Sequence, residues 1–400
     1  MTDTNRPTIT NDSPDSVDDH GDRLRLAIES ALGHRFTENN RIRVLRNGDE
    51  IFPAMLKAVA GATHSIDFVT FVFWTGEIAR TFAQALAAKA REGVAVRVIL
   101  DGFGSMPMDS ALIDELEEAG AEVERFRPIV RWKIWESDHR THRKILVVDN
   151  RVAFTGGVGI AEEWEGNAND ETEWRDTHFQ IEGPAVLDLR AAFLTDWRDT
   201  GHAIGERDVA APRPEPTGST LAAVIDGSAQ IGVNDAQRML EAVVTAAEDR
   251  IVIQTPYFNP TDTLIDALIA AAKRGVEIDL LLPGPHIDKP LSGVVARDRY
   301  APLLPHGARV WEYQTSMMHV KAVLVDDRLA CVGSVNVNRR SVEKDEEVML
   351  VVLDRAITAE LMAHFEEDLK ACIPSAEEAP VATLKRKAIV AALRPIRREF

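Results

Sequence analysis

The chain has 400 residues, 45% of them hydrophobic and 28% charged, with a formal net charge of −18 at pH 7. That length suffices for one large or two ordinary domains with buried cores. The acidic balance argues against a protein that coats nucleic acid, because such binding relies on Lys and Arg neutralising phosphates. The two cysteines, Cys331 and Cys372, stand at no metal-ligand or redox spacing, which fits a reducing compartment and speaks against a disulfide framework.

Residues 1–22 are polar and acidic, the composition of a disordered tail, and lack the apolar stretch of a secretory signal. A first domain is expected over residues 23–208. In it, Ile66 to Trp74 reads as a buried strand, far short of the roughly 20 apolar residues that span a bilayer. A helix follows that ends in Lys89, Arg91 and Gly93, as helix C-termini prefer, then a strand running to Gly102 and a short one from Val123 to Phe126. Pro212, Pro214 and Pro216 followed by Gly218 and Ser219 mark a linker, 209–220. A second domain, 221–375, repeats the order of the first: a strand from Ile251 to Phe258, a helix stopped by Gly275, a strand to Gly284 and another from Arg309 to Tyr313. The class is α/β, a duplicated unit with a largely parallel or mixed sheet covered by helices, its halves facing each other across a pseudo-twofold axis. Residues 376–400 are expected to form a basic tail, and the lack of a signal-like or spanning stretch leads to the expectation of a cytoplasmic protein, peripheral at most at the inner face of the membrane.

Each half carries the same cassette. His142-Arg143-Lys144 is followed by Asp149, and His319-Val320-Lys321 by Asp326, both reading H-x-K-x-x-x-x-D. A small-residue turn follows each, Gly156-Gly157-Val158-Gly159 and Gly333-Ser334-Val335-Asn336. In a strand, residues i and i+2 point to one side, so His142 projects with Lys144 and His319 with Lys321. If the halves meet, two imidazoles and two ammonium groups surround one small volume, a site for a phosphate. One neutral imidazole attacks phosphorus and the other, protonated, serves the leaving alkoxide. No metal or cofactor is called for, since the lysines take the electrophilic role. Asp149 and Asp326 complete the catalytic set in a positioning role, at turns between β-branched strands. The Gly157 backbone, Ser334 and Asn336 are the candidate phosphate donors. Asp176 and Glu347 are the candidate acids that orient the imidazoles, and spacing leaves open which histidine each serves. Arg175, His178 and His139 read as structural or peripheral, and Trp74, Trp132, Trp135, Trp164 and Tyr257, near strand ends, as core, with the lining of a lipid entrance as the alternative.

These cassettes resemble the HKD motifs of the phospholipase D superfamily. Arg140 to Lys144, Phe154 to Gly157, Trp174 to His178 ahead of Ile181 to Val186, Thr255 to Phe258, and Gly333 to Asn336 with Arg340, Ser341 and Glu347 resemble its bacterial cardiolipin synthase branch. The likeness covers about residues 41–371; Gly159 departs from it, standing where many synthases have Asn. The resemblance implies two α/β/α sandwich domains around one site and a ping-pong reaction through a phosphatidyl-histidine. It implies His142 as nucleophile, His319 as acid and base, and acids that act across the interface, Glu347 on His142 and Asp176 on His319. The implied reaction transfers a phosphatidyl group between phosphatidylglycerol molecules. The alternatives are a phospholipase D that forms phosphatidic acid, and a nuclease, which the net charge disfavours. From Thr383 to Phe400 the chain carries Lys385, Arg386, Lys387, Arg394, Arg397 and Arg398 among apolar residues, with Pro395 interrupting. Such an amphipathic end suits an anionic membrane surface, where each cation contributes about 1 kcal/mol.

Overall fold

The computed structural model describes residues 19–128, 139–209, 212–227, 235–375 and 380–393. Helix α1 (Asp19–Leu32) opens the described chain. The first half then runs β1 (Thr37–Arg46), α2 (Asn47–Ala60), β2 (Ser65–Thr70), α3 (Glu77–Arg91), β3 (Ala95–Asp101), α4 (Ser110–Glu118), β4 (Glu122–Phe126), β5 (Ile145–Val148), β6 (Val152–Gly156), β7 (Thr177–Glu182) and α5 (Ala185–Asp199). After the short α6 (Glu206–Val209) the order recurs as β8 (Thr220–Gly227), α7 (Asp235–Ala246), β9 (Arg250–Gln254), α8 (Asp262–Arg274), β10 (Glu277–Pro283), α9 (Pro290–Tyr300), β11 (Arg309–Tyr313), β12 (Ala322–Val325), β13 (Leu329–Gly333), α10 (Arg339–Glu343), β14 (Glu347–Leu353) and α11 (Arg355–Leu369). Strand β15 (Cys372–Pro374) and helix α12 (Pro380–Ala392) follow.

Local chemistry accounts for these elements. In α3, Ile78, Phe82 and Leu86 recur every four residues and bury one face. Helix α8 starts where Thr261 accepts the N–H of Leu264, and stops at Gly275, whose φ of 102° is left-handed. Strand β3 is buried almost end to end, as expected of a parallel strand covered on both faces.

The strands among the described residues join one 15-stranded sheet in the order β15-β11-β10-β9-β12-β13-β14-β8-β1-β7-β6-β5-β2-β3-β4. Each half contributes a parallel trio, β2-β3-β4 or β9-β10-β11, followed by antiparallel strands. The halves meet where β1 pairs antiparallel with β8, through Thr37↔Ala222 and Asn40↔Thr220. One hydrophobic core draws on both halves, with Ile99, Phe179, Phe193 and Trp197 packed together with Leu281, Met318, Leu350 and Phe365. That shared layer holds the two cassettes in one place.

The boundary at residue 22 differs from the composition-based reading. Residue 19 is already helical, and α1 packs with Leu24 and Ile28 into the core of the second half, beside Met239 and Val243 of α7. The proline-rich stretch is tied to β1, since Thr217 and Gly218 donate their N–H groups to the Asn39 carbonyl at 2.9 and 3.2 Å. In the basic tail, Arg386 of α12 is buried against α9 and ion-pairs with Asp298 at 2.8 Å. Arg394, Pro395, Arg397 and Arg398 lie outside the described residues, as do Trp132 and Trp135. No helix among the described residues is long and apolar enough to cross a membrane.

Candidate active site

Lys144 directly precedes β5 and Lys321 directly precedes β12, so both cassettes stand at strand entrances where the halves meet. Two short parallel bridges stitch them together, Thr141↔Glu346 and Arg175↔Met318. The N–H of His142 donates to the Glu346 carbonyl and that of His319 to the Arg175 carbonyl, each at 2.8 Å. The residue after each carbonyl is an acid. Glu347 therefore meets His142, with both carboxylate oxygens 3.0 Å from Nδ1, and Asp176 meets His319, with Oδ2 2.7 Å from Nδ1. Each imidazole is held at Nδ1 by an acid of the other half, which directs Nε2 away from that acid, and the Lys321 Nζ lies 3.2 Å from the His319 Nε2.

The acids are themselves held. Asp176 accepts the Trp164 indole N–H at 2.9 Å and the Thr177 N–H at 2.8 Å. Gly157 packs against its carboxylate, where a Cβ would collide. Glu347 accepts the Ser334 hydroxyl, whose oxygen in turn accepts the Val348 N–H at 3.0 Å. This redirects two expected phosphate contacts. The Gly157 N–H is paired with the Thr177 carbonyl at 3.3 Å, and Ser334 is committed to Glu347, so both act on the acids instead. Asn336 differs: its Oδ1 has no partner among the described residues, and it lines a small hollow of about 60 Å³ beside His142. Its first-half counterpart, Gly159, has no room for a side chain, because a Cβ would strike Val72.

The cassette aspartates stand at the turns after β5 and β12, and neither lines a cavity with the histidines. Asp149 accepts the N–H groups of Thr63, His64 and Ser65 at 2.7 to 2.9 Å, and Asp326 those of Glu248, Asp249 and Arg250 at 2.8 to 3.2 Å. They tie the far ends of β5 and β12 to the starts of β2 and β9.

His142, Lys144 and His319 share a cavity of about 310 Å³. Its first-half wall is apolar, built from Phe71, Trp74, Phe103, Met106, Trp164 and Trp174. Its second-half wall is polar: the Tyr257 hydroxyl donates to Asp288 at 2.6 Å, and the Lys289 ammonium lies 4.6 Å from the Tyr257 ring. Trp74, Trp164 and Tyr257, expected in the core, thus also face the cavity. The Lys144 Nζ donates to its own cassette's His142 carbonyl at 2.8 Å, and the Lys321 Nζ to the His319 carbonyl at 2.9 Å.

Sequence reasoning missed Trp174, Asp288, Lys289 and the pairing of Arg143. Pointing away from His142, the Arg143 guanidinium is fully buried and binds Asp196, Asp226 and Glu346. Arg175 likewise binds Asp368 at 2.9 and 3.0 Å. Only the alternation of strand side chains hinted at Arg143. His178 is buried, which pushes its pKa down to about 3, and His139 contacts the Lys344 carbonyl at 2.8 Å.

Burial, with Lys144 and Lys321 beside it, drives the His142 pKa well below its ordinary value. Burial and Lys321 bring His319 down to about 4, although Asp176 opposes them. Burial also lowers Lys144 to about 7, helped by Lys321, and Lys321 to about 8. The acids diverge. Burial pushes Glu347 up to about 7, while for Asp176 burial is outweighed by His319, Lys321 and its hydrogen bonds, leaving it below the usual carboxylate range. Among the described residues no group of His, Cys, Asp and Glu is arranged to hold a metal ion.

The chain matches the protein family described as "Cardiolipin synthase, PLD-like domain" over residues 55–197 and 240–369, well over half its length. It is 32% identical over 357 residues to Cardiolipin synthase 1 of Bacillus cereus, covering 87% of this chain and 70% of that one. With Cardiolipin synthase of Clostridium perfringens it shares 30% identity over 344 residues, covering 84% and 72%. The crystal structure of phosphatidylserine synthase from Haemophilus influenzae Rd KW20 superposes with a TM-score of 0.71 over 94% of this chain and 99% of that one, and its 15% identity makes this a likeness of fold. The chain belongs to the phospholipase D superfamily, in its cardiolipin synthase-like branch.

Proposed function

We propose that the protein is a cardiolipin synthase-type phosphatidyltransferase that moves a phosphatidyl group from one phosphatidylglycerol to a hydroxyl of another and releases glycerol. The observation that carries this reading is the pair of imidazoles in one cavity, each oriented through Nδ1 by an acid of the opposite half. In the first step the His142 Nε2 lone pair attacks phosphorus and the bond to the glycerol oxygen breaks. Protonated His319 gives its proton to that oxygen, so glycerol leaves neutral. In the second step His319 takes the proton from the acceptor hydroxyl as its oxygen attacks phosphorus and the P–N bond breaks. Lys144 and Lys321 bear on the phosphoryl oxygens, where negative charge is greatest in both transition states.

The division of labour rests on electrostatics. Burial and the neighbouring lysines keep His142 neutral, as a nucleophile must be. Burial and Lys321 hold His319 near 4, so its proton depends on ionised Asp176 together with the anionic phosphate that the substrate brings into the site. The apolar wall suits a diacylglycerol moiety and the Tyr257–Asp288 side a hydroxylated headgroup. A lipid substrate also agrees with the cardiolipin synthases to which the chain is similar.

Incubation with phosphatidylglycerol vesicles and mass spectrometry of the products tests the reading. Cardiolipin with glycerol is the expected outcome; phosphatidic acid as the main product replaces the transferase with a hydrolase. His142→Ala is expected to abolish both turnover and the acid-labile phosphorylated enzyme. Survival of that species in the variant moves the nucleophile to His319.

A further inference from the structure

The connections that follow the parallel strands β3 and β10 hold topologically equivalent positions in the two halves, and both border the catalytic cavity. Both present large apolar side chains to solvent. Phe103 is 53% exposed and Met106 57% in the β3–α4 connection, and Leu291 is 46% exposed in the first turn of α9. Phe103 and Met106 also line the cavity, and Leu291 lies between Lys289 and Ser292, which line the cavity and the adjoining hollow.

We infer that this rim is a membrane-docking surface, with Phe103, Met106 and Leu291 entering the apolar layer of a phospholipid bilayer around the mouth of the catalytic cavity. The inference rests on the phosphatidyltransferase reading for the identity of the substrate. Three observations support it.

The exposure is built in. Buried Asp101 accepts the N–H groups of Phe103 at 2.8 Å and Gly104 at 2.9 Å, and the Trp74 indole donates to the Gly104 carbonyl at 2.6 Å. Gly104 lies so close to the Phe71 carbonyl that a Cβ would collide with it. The loop is therefore pinned with its aromatic ring outward, where burying apolar surface in lipid is favourable.

Cavity size gives the second. A volume of about 310 Å³ is at the low end of sites that enclose a drug-sized molecule. It admits a phosphoglycerol head and the adjoining part of a lipid, so two full acyl chains remain outside the protein. The apolar wall has to open onto the medium that holds those chains, and the apolar rim does so.

Charge is the third. A formal charge of −18 opposes adsorption of the molecule to an anionic surface through general electrostatics. Apolar insertion supplies a driving force that does not draw on charge, and Lys289 places a cation beside the cavity.

The test uses the full chain and vesicles of equimolar phosphatidylglycerol and phosphatidylcholine. Sedimentation compares the wild type with the triple variant Phe103→Ser, Met106→Ser, Leu291→Ser. The expected loss is roughly a hundredfold in apparent affinity, since three apolar side chains no longer leave water. Wild-type binding should persist at about 0.5 M salt, where surface electrostatics are screened. The conservative variant Phe103→Leu with Leu291→Phe should bind like the wild type. Equal vesicle binding by the triple variant and the wild type overturns the proposal. So does wild-type binding that collapses in salt, which assigns docking to the basic α12 region. Turnover of short-chain phosphatidylglycerol, kept monomeric, reads the chemistry separately: its absence in the wild type sinks the catalytic reading, whereas the docking surface is judged on binding alone.

Discussion

Lys144 and Lys321 approach one another inside a buried site, and their mutual repulsion adds to the penalty of burial. Both must carry charge to stabilise a phosphoryl transition state. In the free enzyme Lys144 loses its proton near pH 7 and Lys321 near pH 8. The expected result is a kcat/KM whose alkaline decline steepens by about tenfold per pH unit above about pH 7, where Lys144 is titrated. A profile measured from pH 5 to 10 checks this, and a flat alkaline side contradicts it. Stability responds with the opposite sign. From the folded values up to the ordinary 10.5, the unfolded chain holds more protons on these two lysines than the folded chain does. Their contribution to stability therefore grows as pH rises through that window, is complete above 10.5, and is lost as pH falls through about 8 and 7. Denaturant midpoints in the same buffers separate this gain from the loss of activity.

Each cassette is a strand entrance, a strand and a hairpin, and its aspartate belongs to the hairpin. Asp149, Asn150 and Asp326 have φ values of 51°, 54° and 54°, in the left-handed region that Asp and Asn tolerate better than most residues. Their carboxylates also collect the N–H groups that open β2 and β9, and Asp326 is 2.5 Å from His20 of α1. Conservation of spacing between His and Asp within the chain thus reflects the length of one strand. Asp326→Ala should destabilise the protein by about 2–4 kcal/mol, because several N–H groups lose a charged acceptor at once. The folded fraction should keep its kcat within about threefold. Thermal melts and active-site-normalised rates check both; a collapse of kcat at unchanged stability would return Asp326 to the chemistry.

At the scale of the molecule, the duplication explains why the site is single. Strands β1 and β8 join two equivalent half-sheets, a shared core closes over them, and each histidine takes its acid from the opposite half. Mixing purified His142→Ala with His319→Ala should therefore restore no activity, since each intact cleft lies within one chain. Recovery on mixing would require the cleft to form between two chains. The unequal walls also belong to this scale. The β3–α4 connection and its neighbours supply aromatic and apolar side chains, whereas the β10–α9 connection supplies Asp288 and Lys289. The two halves repeat the cassette and its opposing acid, whereas their flanking loops make one wall apolar and the other polar.

Much of this was legible in the chain. The repeated cassette, the helix stops at Gly93 and Gly275 and the strand runs are local patterns, and period-two alternation dictates that His and Lys of each cassette point together. The half-to-half relationship was legible as well, because both copies carry the same order of elements. Other features depend on contacts that no local pattern encodes. His142 and Glu347 are 205 residues apart, and His319 and Asp176 are 143 apart, so spacing left their pairing open. Ser334 and Gly157 looked like phosphate donors because small polar turns often are, yet proximity to Glu347 and Asp176 turns both toward the acids. Composition likewise placed residues 1–22 in a tail, while α1 finds its partner only once α7 exists. Sequence periodicity settles which side chains share a face. Which faces meet, and what each polar group then binds, is decided by burial and long-range packing.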